Sequence, residues 1–181
     1  MEQSSGLELR AIGSSDCFDD ISCGNAKFLA LKVFLQRNAL YYEEGSLART
    51  YVAVDPKTKL IAGYVTLVCS EIDLGDDATL HPGSLAEARE RYPYTNYPAI
   101  KIARLLVDSR KRGQNLGTQL VDLAFGIATL EIGPRVGCRF LIVDSKPEAV
   151  EFYKKRGFTL LDTQENRQRE TLIMFVDLKG M

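Results

Sequence analysis

A short basic turn with two glycines stands between an apolar run and an apolar helical pattern in the middle of the chain. The run covers residues 101–107, the turn carries three consecutive cations at residues 110–112, and the helical pattern starts at Leu116. The first N–H groups of a helix have no intrahelical acceptor, and the helix dipole adds positive charge at the same end. These residues therefore predict a binding site for an anion of the pyrophosphate type.

Length, charge and hydropathy set bounds on the class of protein. The 181 residues are typical of one domain, so we expect a single domain over residues 1–181. A net charge of −1 and a pI of about 5.9 argue against a globally basic nucleic-acid binder, although a local basic patch stays open. No apolar run approaches the ~18–20 residues of a membrane span, and no signal-peptide pattern opens the chain. We expect a cytoplasmic protein with no membrane contact.

The cysteine and histidine content does not fit a metal site. The four cysteines are scattered without a Cys-x-x-Cys pair, and the chain has one histidine, His81. We therefore expect no metal site, and reduced thiols in a cytosolic compartment. His81 is expected to be a loop residue without a catalytic role.

Hydrophobic periodicity predicts an α/β fold with a mixed sheet and helices on both faces. Period-two or β-rich runs predict seven strands, at residues 7–12, 49–55, 60–72, 99–108, 138–144, 158–162 and 171–178. Helical patterns cover residues 26–42 (after a short helix or turn), residues 116–130 (ended by Gly133 and Pro134) and residues 147–156. A further short helix is predicted over residues 84–91, and a polar loop over residues 163–170. The resulting order, β-α-α-β-β-β-α-β-α-β-β, disfavours a dinucleotide-binding domain, which repeats βαβ units.

The basic turn resembles the pyrophosphate loop of the GNAT family of N-acetyltransferases, whose pattern is Arg/Gln-x-x-Gly-x-Gly/Ala between a strand and a helix. Arg112 and Gly117 match that pattern, and Asn115 stands where the family usually has its middle glycine. After glycine, asparagine is the residue that most readily adopts a positive φ. Residues 149–158 match a second family block, Ala-x-x-x-Tyr-x-x-x-Gly-Phe. With the strand order, the resemblance covers most of the chain and implies the GNAT fold, a central mixed and splayed sheet flanked by helices.

The resemblance implies an acetyl-CoA-dependent N-acetyltransferase, which moves an acetyl group from a thioester to a primary amine. It implies that a clamp of backbone N–H groups holds the pyrophosphate; the clamp residues are Arg112, Gly113, Gln114, Asn115, Leu116, Gly117 and Thr118. It also implies that the pantetheine arm of the cofactor lies along the backbone of Leu105, Leu106 and Val107, whose side chains belong to the core. The structural alternative for the clamp is a surface turn before a capped helix.

Tyr153 stands where the family places the tyrosine that protonates the departing thiolate. A phenol with a pKa of about 10 suits that role. The alternative is that Tyr153 is a packing aromatic, since it lies beside Phe152 on a predicted helix.

No general base is evident in the sequence. Glu71 and Asp73, expected just past the third strand, are candidates, although exposed loop carboxylates are common. An α-amine titrates at about 7.7–8.0 and a lysine side chain at about 10.4, so an α-amine needs less help from a base. The lack of an evident base therefore favours an α-amine acceptor. Basic side chains that could contact phosphates of the acceptor, although most are expected to be solvated, are Arg49, Arg89, Arg91, Lys101, Arg104 and Arg110.

Four segments add a narrower resemblance, to the GNAT toxins of bacterial toxin–antitoxin pairs: residues 23–25, 49–55, 62–67 and 97–105. That resemblance implies aminoacyl-tRNA as the acceptor and a small DNA-binding antitoxin protein as a partner. The slightly acidic charge departs from such toxins, which are usually basic. Two alternatives therefore stay open: an N-acetyltransferase for protein or small-molecule amines, and a non-catalytic acyl-CoA-binding regulatory domain. The oligomeric state is also open, and a homodimer is one of the alternatives.

Overall fold

Seven strands form one mixed sheet in the parts of the chain that the computed structural model describes, residues 6–75 and 91–180. The strands are β1 (Glu8–Ala11), β2 (Arg49–Val54), β3 (Ile61–Asp73), β4 (Asn96–Val107), β5 (Phe140–Ser145), β6 (Thr159–Leu160) and β7 (Leu172–Asp177). Their order along the sheet is β1-β2-β3-β4-β5-β7-β6. The predicted α/β class and mixed sheet are confirmed.

Helices follow the strands in nearly the predicted order. They are α1 (Leu29–Arg37), α2 (Ala39–Glu44), α3 (Leu116–Gly126), α4 (Gly133–Val136), α5 (Val150–Lys154) and α6 (Gln164–Arg167). Short 3-10 turns lie at Ala26–Phe28, Ser109–Lys111 and Pro147–Ala149, and a π turn, Ile127–Ile132, joins α3 to α4.

The chain divides into two compact units. The first unit comprises Met1–Val68 and Ala103–Ala124, and the second comprises Cys69–Ile102 and Phe125–Met181. Strands β3 and β4 each contribute to both units. The expectation of a single domain stays a prediction.

In the first unit, β1, β2 and β3 form an antiparallel meander in which Arg10 lies opposite Val52, and Val52 opposite Tyr64. The hydroxyl of Tyr64 donates a hydrogen bond to the carbonyl of Leu31 at 2.7 Å, which ties the meander to α1. The buried side chains that share this core are Ile12, Ile21, Phe34, Leu35, Ala39, Val52, Val54, Ile61, Tyr64 and Leu106. Because Leu106 belongs to this core, the end of β4 is held against the meander.

Gly63 in β3 leaves the space in which β4 and α3 pack. A Cβ at this position would lie 3.1 Å from the carbonyl oxygen of Leu106, and 3.2 and 3.3 Å from methyl carbons of Leu120 and Leu116. These contacts are shorter than a packed side chain normally tolerates. The absence of a side chain at residue 63 therefore sets how closely the start of α3 approaches the sheet.

In the second unit, β4 and β5 run parallel, with Ala99 opposite Phe140. The crossover through α3 predicts this direction. Strand β7 pairs antiparallel with β5 and with β6. The ring of Phe140 lies 5.8 Å from the ring of Tyr97 and 5.7 Å from that of Phe175, both in edge-to-face contact. Aromatic packing thus forms the centre of this core.

The first helical region differs from its prediction in one respect. Residues 17–25 contain no helix, which agrees with the predicted turn, but the helix predicted over residues 26–42 is interrupted at Asn38. Asn38 has φ −121° and ψ −27°, and it ends α1 and precedes α2. Asparagine weakens helix interiors because its amide competes for backbone hydrogen bonds. Gly45 ends α2 as predicted.

The prediction that Gly133 and Pro134 end the third helix is wrong. The helical segment continues through the π turn and α4, and it ends at Gly137, which has φ 80°. The N–H of Gly133 bonds to the carbonyl of Ala128, five residues back. Proline is excluded from regular α-helix interiors by its missing N–H and its clash with the carbonyl four residues before it. The wider π spacing before α4 admits Pro134 at the first turn of that helix.

This continuation gives the segment Leu116–Val136 a length of 21 residues. Among the described residues it is the one helix long and apolar enough to cross a membrane by length and composition alone, which the sequence did not predict. One such helix is weak evidence of a membrane span, because the core helices of soluble proteins pass the same test; 33% of its apolar window is buried, including Leu120, Val121 and Ala124.

Residues 163–170 contain a short helix, α6, where the sequence predicted a polar loop. The hydroxyl of Thr163 accepts a hydrogen bond from the N–H of Asn166 at 3.0 Å, which caps this helix. The buried amide of Asn166 donates to the carbonyls of Leu161 and Ile173. The helix predicted over residues 84–91 lies, except for its last residue, outside the described residues, as does His81.

Candidate active site

The basic turn has the backbone conformation that a tight approach to an anion requires. Strand β4 ends at Val107, and the carboxylate of Asp108 accepts a hydrogen bond from the N–H of Arg110 at 2.8 Å. Gly113 has φ 81° and Asn115 has φ 60°, so both lie in the left-handed region. The prediction that Asn115 takes the conformation of a glycine is confirmed.

Helix α3 starts directly after Asn115, so the N–H groups of Leu116, Gly117 and Thr118 belong to its first turn. An α-helix supplies no acceptor to these groups, and its dipole is positive at this end. Leu116 is buried and fixes the helix start, whereas residues 110–115 are exposed. The turn therefore presents backbone donors to solvent from a rigid base, an arrangement that suits a phosphate.

The three strand residues predicted to contact the pantetheine arm lie at the end of β4. Leu106 is buried in the core of the first unit, and Leu105 and Val107 are half-buried. The pairing of β4 with β5 covers residues 99–102 and 140–143, so all three lie beyond the part of β4 that pairs with β5.

Arg110 pairs with protein carboxylates. The sequence had suggested that it could contact phosphates of the acceptor. Its Nη2 lies 2.6 Å from Oδ2 of Asp108 and 2.9 Å from Oδ2 of Asp20, and its Nε donates to Oδ1 of Asp108 at 2.9 Å. A bidentate pair of this kind holds a guanidinium in one orientation. Arg110 therefore shapes the turn, and its guanidinium, although half exposed, is paired with two carboxylates.

Other cations from the same set are also occupied. The Arg49 guanidinium pairs with Glu43 at 2.7 Å, Lys101 pairs with Asp144, and the Arg104 guanidinium lies 5.2 Å from the ring centre of Phe34. In each of these contacts, both partners belong to the same unit.

Asp108 is buried and ionised. Burial alone would raise the pKa of its carboxyl group, but the side chain of Arg110 and the N–H groups of Arg110 and Ser22 donate hydrogen bonds to it. Their combined effect holds the pKa of Asp108 below its ordinary value. The carboxylate of Asp108 therefore stays charged and holds the start of the turn by its hydrogen bonds.

Tyr153 lies on α5 and is only 5% exposed. Its ring makes edge-to-face contacts with Phe152 and Phe158, with centroids 5.0 and 5.3 Å away. The N–H of Phe158 bonds to the carbonyl of Tyr153 at 3.1 Å, after a turn at Gly157 with φ 86°. Within the described residues its hydroxyl makes no hydrogen bond, and burial raises the pKa of the phenol. Tyr153 is therefore a packed aromatic that also keeps its proton.

The two candidate bases line one cavity in the second unit, with a volume of about 410 Å³. Glu71 accepts a hydrogen bond from the Asn96 side chain at 3.1 Å, and Asp73 accepts from the N–H of Gly75 at 2.8 Å. The other charged residues that line the cavity are Lys101, Asp144, Glu165 and Arg169. Four carboxylates against two cations make the cavity acidic.

Sequence reasoning missed Asp144, Glu165 and Arg169 as members of this site. Asp144 is the charged residue in the otherwise uncharged strand β5, and that exception was the available signal. No group of three or more metal-ligating side chains occurs among the described residues.

A model of the GNAT acetyltransferase domain matches residues 85–179, which include Tyr153 and all of the clamp. The match extends over more than half of the chain. The chain belongs to the GNAT acetyltransferase family. The resemblance stated from the basic turn and the Tyr153 block is thereby confirmed, and the protein is an acetyltransferase by family.

Solved structures of GNAT toxins resemble this acetyltransferase along nearly its whole length. AtaT complexed with acetyl-methionyl-tRNAfMet has a TM-score of 0.80 and 23% identity, and the match covers 96% of each chain. A tyrosine-to-phenylalanine mutant of KacT has a TM-score of 0.80 and 25% identity, again over 96% of each chain. A tyrosine-to-phenylalanine mutant of the AtaT toxin, bound to the C-terminus of the antitoxin AtaR and acetyl-CoA, has a TM-score of 0.74 and 21% identity over 97% of this chain and 95% of that one. The narrower resemblance to toxins of toxin–antitoxin systems is also confirmed.

Proposed function

We propose that this acetyltransferase moves the acetyl group of acetyl-CoA to the α-amine of an aminoacyl-tRNA, as the toxin of a toxin–antitoxin pair. The observation that carries the proposal is the full-length likeness to AtaT, whose structure contains acetyl-methionyl-tRNA. The AtaT mutant bound to AtaR and acetyl-CoA supports the cofactor and an antitoxin partner. Both substrates occur in the cytoplasm, so the proposal includes a cytoplasmic location.

Residues 112–118 are the proposed cofactor clamp. The positive φ angles of Gly113 and Asn115 and the first turn of α3 supply the backbone donors that a pyrophosphate needs. The end of β4 at Leu105, Leu106 and Val107 supplies backbone groups outside its pairing with β5 for the pantetheine arm.

Tyr153 is the proposed general acid. The neutral amine attacks the carbonyl carbon of the thioester, the C–S bond then breaks, and the thiolate takes a proton from the phenol. The ammonium proton of the acceptor leaves to a base or to water. Burial raises the pKa of the phenol, so Tyr153 is protonated throughout the working pH range, and the same shift makes it a weaker acid.

The acidic cavity of the second unit is the proposed acceptor site. Its carboxylates attract an ammonium group, and Glu71 and Asp73 are the candidate proton acceptors within it. An α-amine is partly neutral at physiological pH, so a weak carboxylate base suffices.

A second candidate function is the acetylation of protein or small-molecule amines. The net charge of −1 and the pairing of Arg49, Lys101 and Arg110 with carboxylates favour it, because they leave fewer cations for tRNA phosphates. The non-catalytic alternative would bind acetyl-CoA and acetylate nothing.

The deciding experiment incubates the protein with radiolabelled acetyl-CoA and, separately, charged tRNA, uncharged tRNA, a protein extract and polyamines. The proposal predicts label that co-purifies with charged tRNA and is released by mild alkaline hydrolysis of the aminoacyl ester. Label on protein or polyamines with none on charged tRNA would establish the second candidate. Acetyl-CoA binding with no labelled product would establish the non-catalytic one.

A further inference from the structure

We propose that residues 20–24, here called the brace, position the cofactor clamp and set its affinity for coenzyme A. The proposal rests on the proposed function in one respect, the assignment of residues 112–118 as the clamp. The brace and the clamp are both in the first unit, although about 90 residues separate them in the sequence.

Ser22 makes the central contacts of the brace. Its N–H donates to Oδ2 of Asp108 at 3.1 Å, and its carbonyl accepts from the N–H of Ser109 at 2.8 Å. The two hydroxyls, of Ser22 and Ser109, share a further hydrogen bond at 2.8 Å. Three hydrogen bonds from one residue fix the start of the turn that leads into the clamp.

Arg110 and Arg112 connect the brace to the rest of the turn. The Nη2 atom of Arg110 donates to the carbonyl of Asp20 at 2.6 Å as well as to its carboxylate. The Nη2 atom of Arg112, the first clamp residue, donates to the carbonyl of Cys23 at 3.1 Å. The side chain of Arg112 is thus hydrogen-bonded to the brace.

Gly24 shows how close this fit is. It has φ +69°, and a Cβ there would lie 2.6 Å from Cβ of Ser109 and 3.3 Å from Nη2 of Arg112. A residue with a side chain meets both backbone strain and a direct clash at this position. Glycine is therefore required where the brace contacts the turn.

The brace is itself anchored. Ile21 is 1% exposed and belongs to the core of the first unit. The exposed turn is consequently attached to a packed core through Ser22, Asp20 and Cys23. A loop ordered in advance loses less entropy when it binds its ligand, so the brace raises the affinity of the clamp without touching the cofactor.

The test measures coenzyme A binding by calorimetry, together with steady-state kinetics, for the full-length protein. Gly24→Ala is expected to weaken coenzyme A binding and to raise the KM for acetyl-CoA by about tenfold. The kcat at saturating acetyl-CoA stays within about twofold, because the reacting groups are untouched. Ser22→Ala, which loses one hydrogen bond and adds no clash, is expected to weaken binding by about threefold.

Arg10→Gln is the control for general damage to the first unit. It breaks an ion pair of similar geometry in the same unit, in which the guanidinium contacts Asp16 at 2.9 Å, but it touches neither brace nor clamp. Its coenzyme A affinity should equal that of the wild type.

A rescue separates the clash from general damage to the fold. Ser109→Gly removes the Cβ that a side chain at residue 24 would strike, so the Gly24→Ala/Ser109→Gly double variant should bind coenzyme A more tightly than Gly24→Ala alone. If Gly24→Ala and Ser22→Ala both bind coenzyme A with wild-type affinity and unfold at the wild-type temperature, the proposal that the brace positions the clamp is refuted. If the wild-type protein binds no coenzyme A, the assignment of residues 112–118 as the clamp is wrong, and so is the proposed function.

Discussion

Tyr153→Phe separates the catalytic and packing roles of this residue, because they predict opposite results. Removing a general acid lowers kcat by about 10²–10⁴-fold. The ring contacts with Phe152 and Phe158 remain in the variant, since phenylalanine keeps the same edge-to-face geometry.

The effect on stability follows from the hydroxyl. Tyr153 is 5% exposed and its hydroxyl makes no hydrogen bond within the described residues. The Tyr153 hydroxyl is not one of the fully buried, unpartnered side-chain oxygens among the described residues, so its removal should leave the free energy of unfolding within about 0.5 kcal/mol of the wild-type value. In a protein of this size, 1 kcal/mol corresponds to about 2–4 °C in Tm.

Tyr64→Phe is the matched control, with the reverse expectation. Tyr64 is also a buried tyrosine, but its hydroxyl donates to the carbonyl of Leu31 at 2.7 Å. Its loss should cost about 1 kcal/mol of unfolding free energy and leave kcat unchanged.

The assay follows thiol release from acetyl-CoA in the presence of an accepted amine, alongside calorimetric binding of coenzyme A and thermal unfolding. The prediction is a large loss of kcat in Tyr153→Phe with cofactor affinity and Tm retained. A kcat within about threefold of the wild type would refute the acid assignment. A Tm lowered as far as that of Tyr64→Phe would show that the Tyr153 hydroxyl is bonded, against the geometry.

Four further predictions concern the turn, the packing of α3, and the pH dependence of stability at high and at low pH. Asn115→Ala, at φ 60°, should lower the unfolding free energy by about 1–2 kcal/mol and weaken coenzyme A binding, whereas Asn115→Gly should do neither; urea unfolding and calorimetry compare the two. Gly63→Ala should cost about 1–3 kcal/mol in urea unfolding, because its Cβ overpacks the space beside α3, and a wild-type midpoint would refute that account. Burial raises the pKa of Tyr64, so its folded form keeps the proton that the unfolded chain loses; stability should be full below about pH 10 and fall above it, less steeply in Tyr64→Phe. The pKa of Asp108 is lowered, so its contribution is present above about pH 4 and is lost as pH falls further, and Asp108→Asn should flatten this acid limb in a pH series of urea unfolding.

The elements of this fold could be predicted because their signals are local. Strand runs and the parallel crossover depend on side-chain period, and the helix stop at Gly157 depends on a single residue that accepts a positive φ. The left-handed conformation of Asn115 was predicted on the same basis. The prediction at Pro134 was wrong because it used the rule that proline ends an α-helix. The π turn before Pro134 changes the hydrogen-bond spacing that this rule assumes.

The ion pairs could not be predicted, because the spacing of charged residues along the chain does not indicate which oppositely charged residue lies beside each one in the fold. Arg110 was a candidate for phosphate contact until the fold placed Asp20, 90 residues earlier in the chain, beside it. Asp144 and Glu165 joined Glu71 in one cavity for the same reason. Long-range pairing depends on which strands and loops meet, and one sequence does not state that.

The sequence by itself therefore determined that the chain has a strand, a basic turn and a helix able to hold a pyrophosphate, and that Tyr153 belongs to the matching block of an acetyltransferase. These are properties of short segments, whose backbone conformation depends mainly on their own residues. Tertiary structure decided which cations of the basic turn are paired with other protein groups, and which residues support the turn. Arg110 is held by carboxylates and Arg112 by the carbonyl of Cys23, because packing of Ile21 in the core brings the brace against the turn.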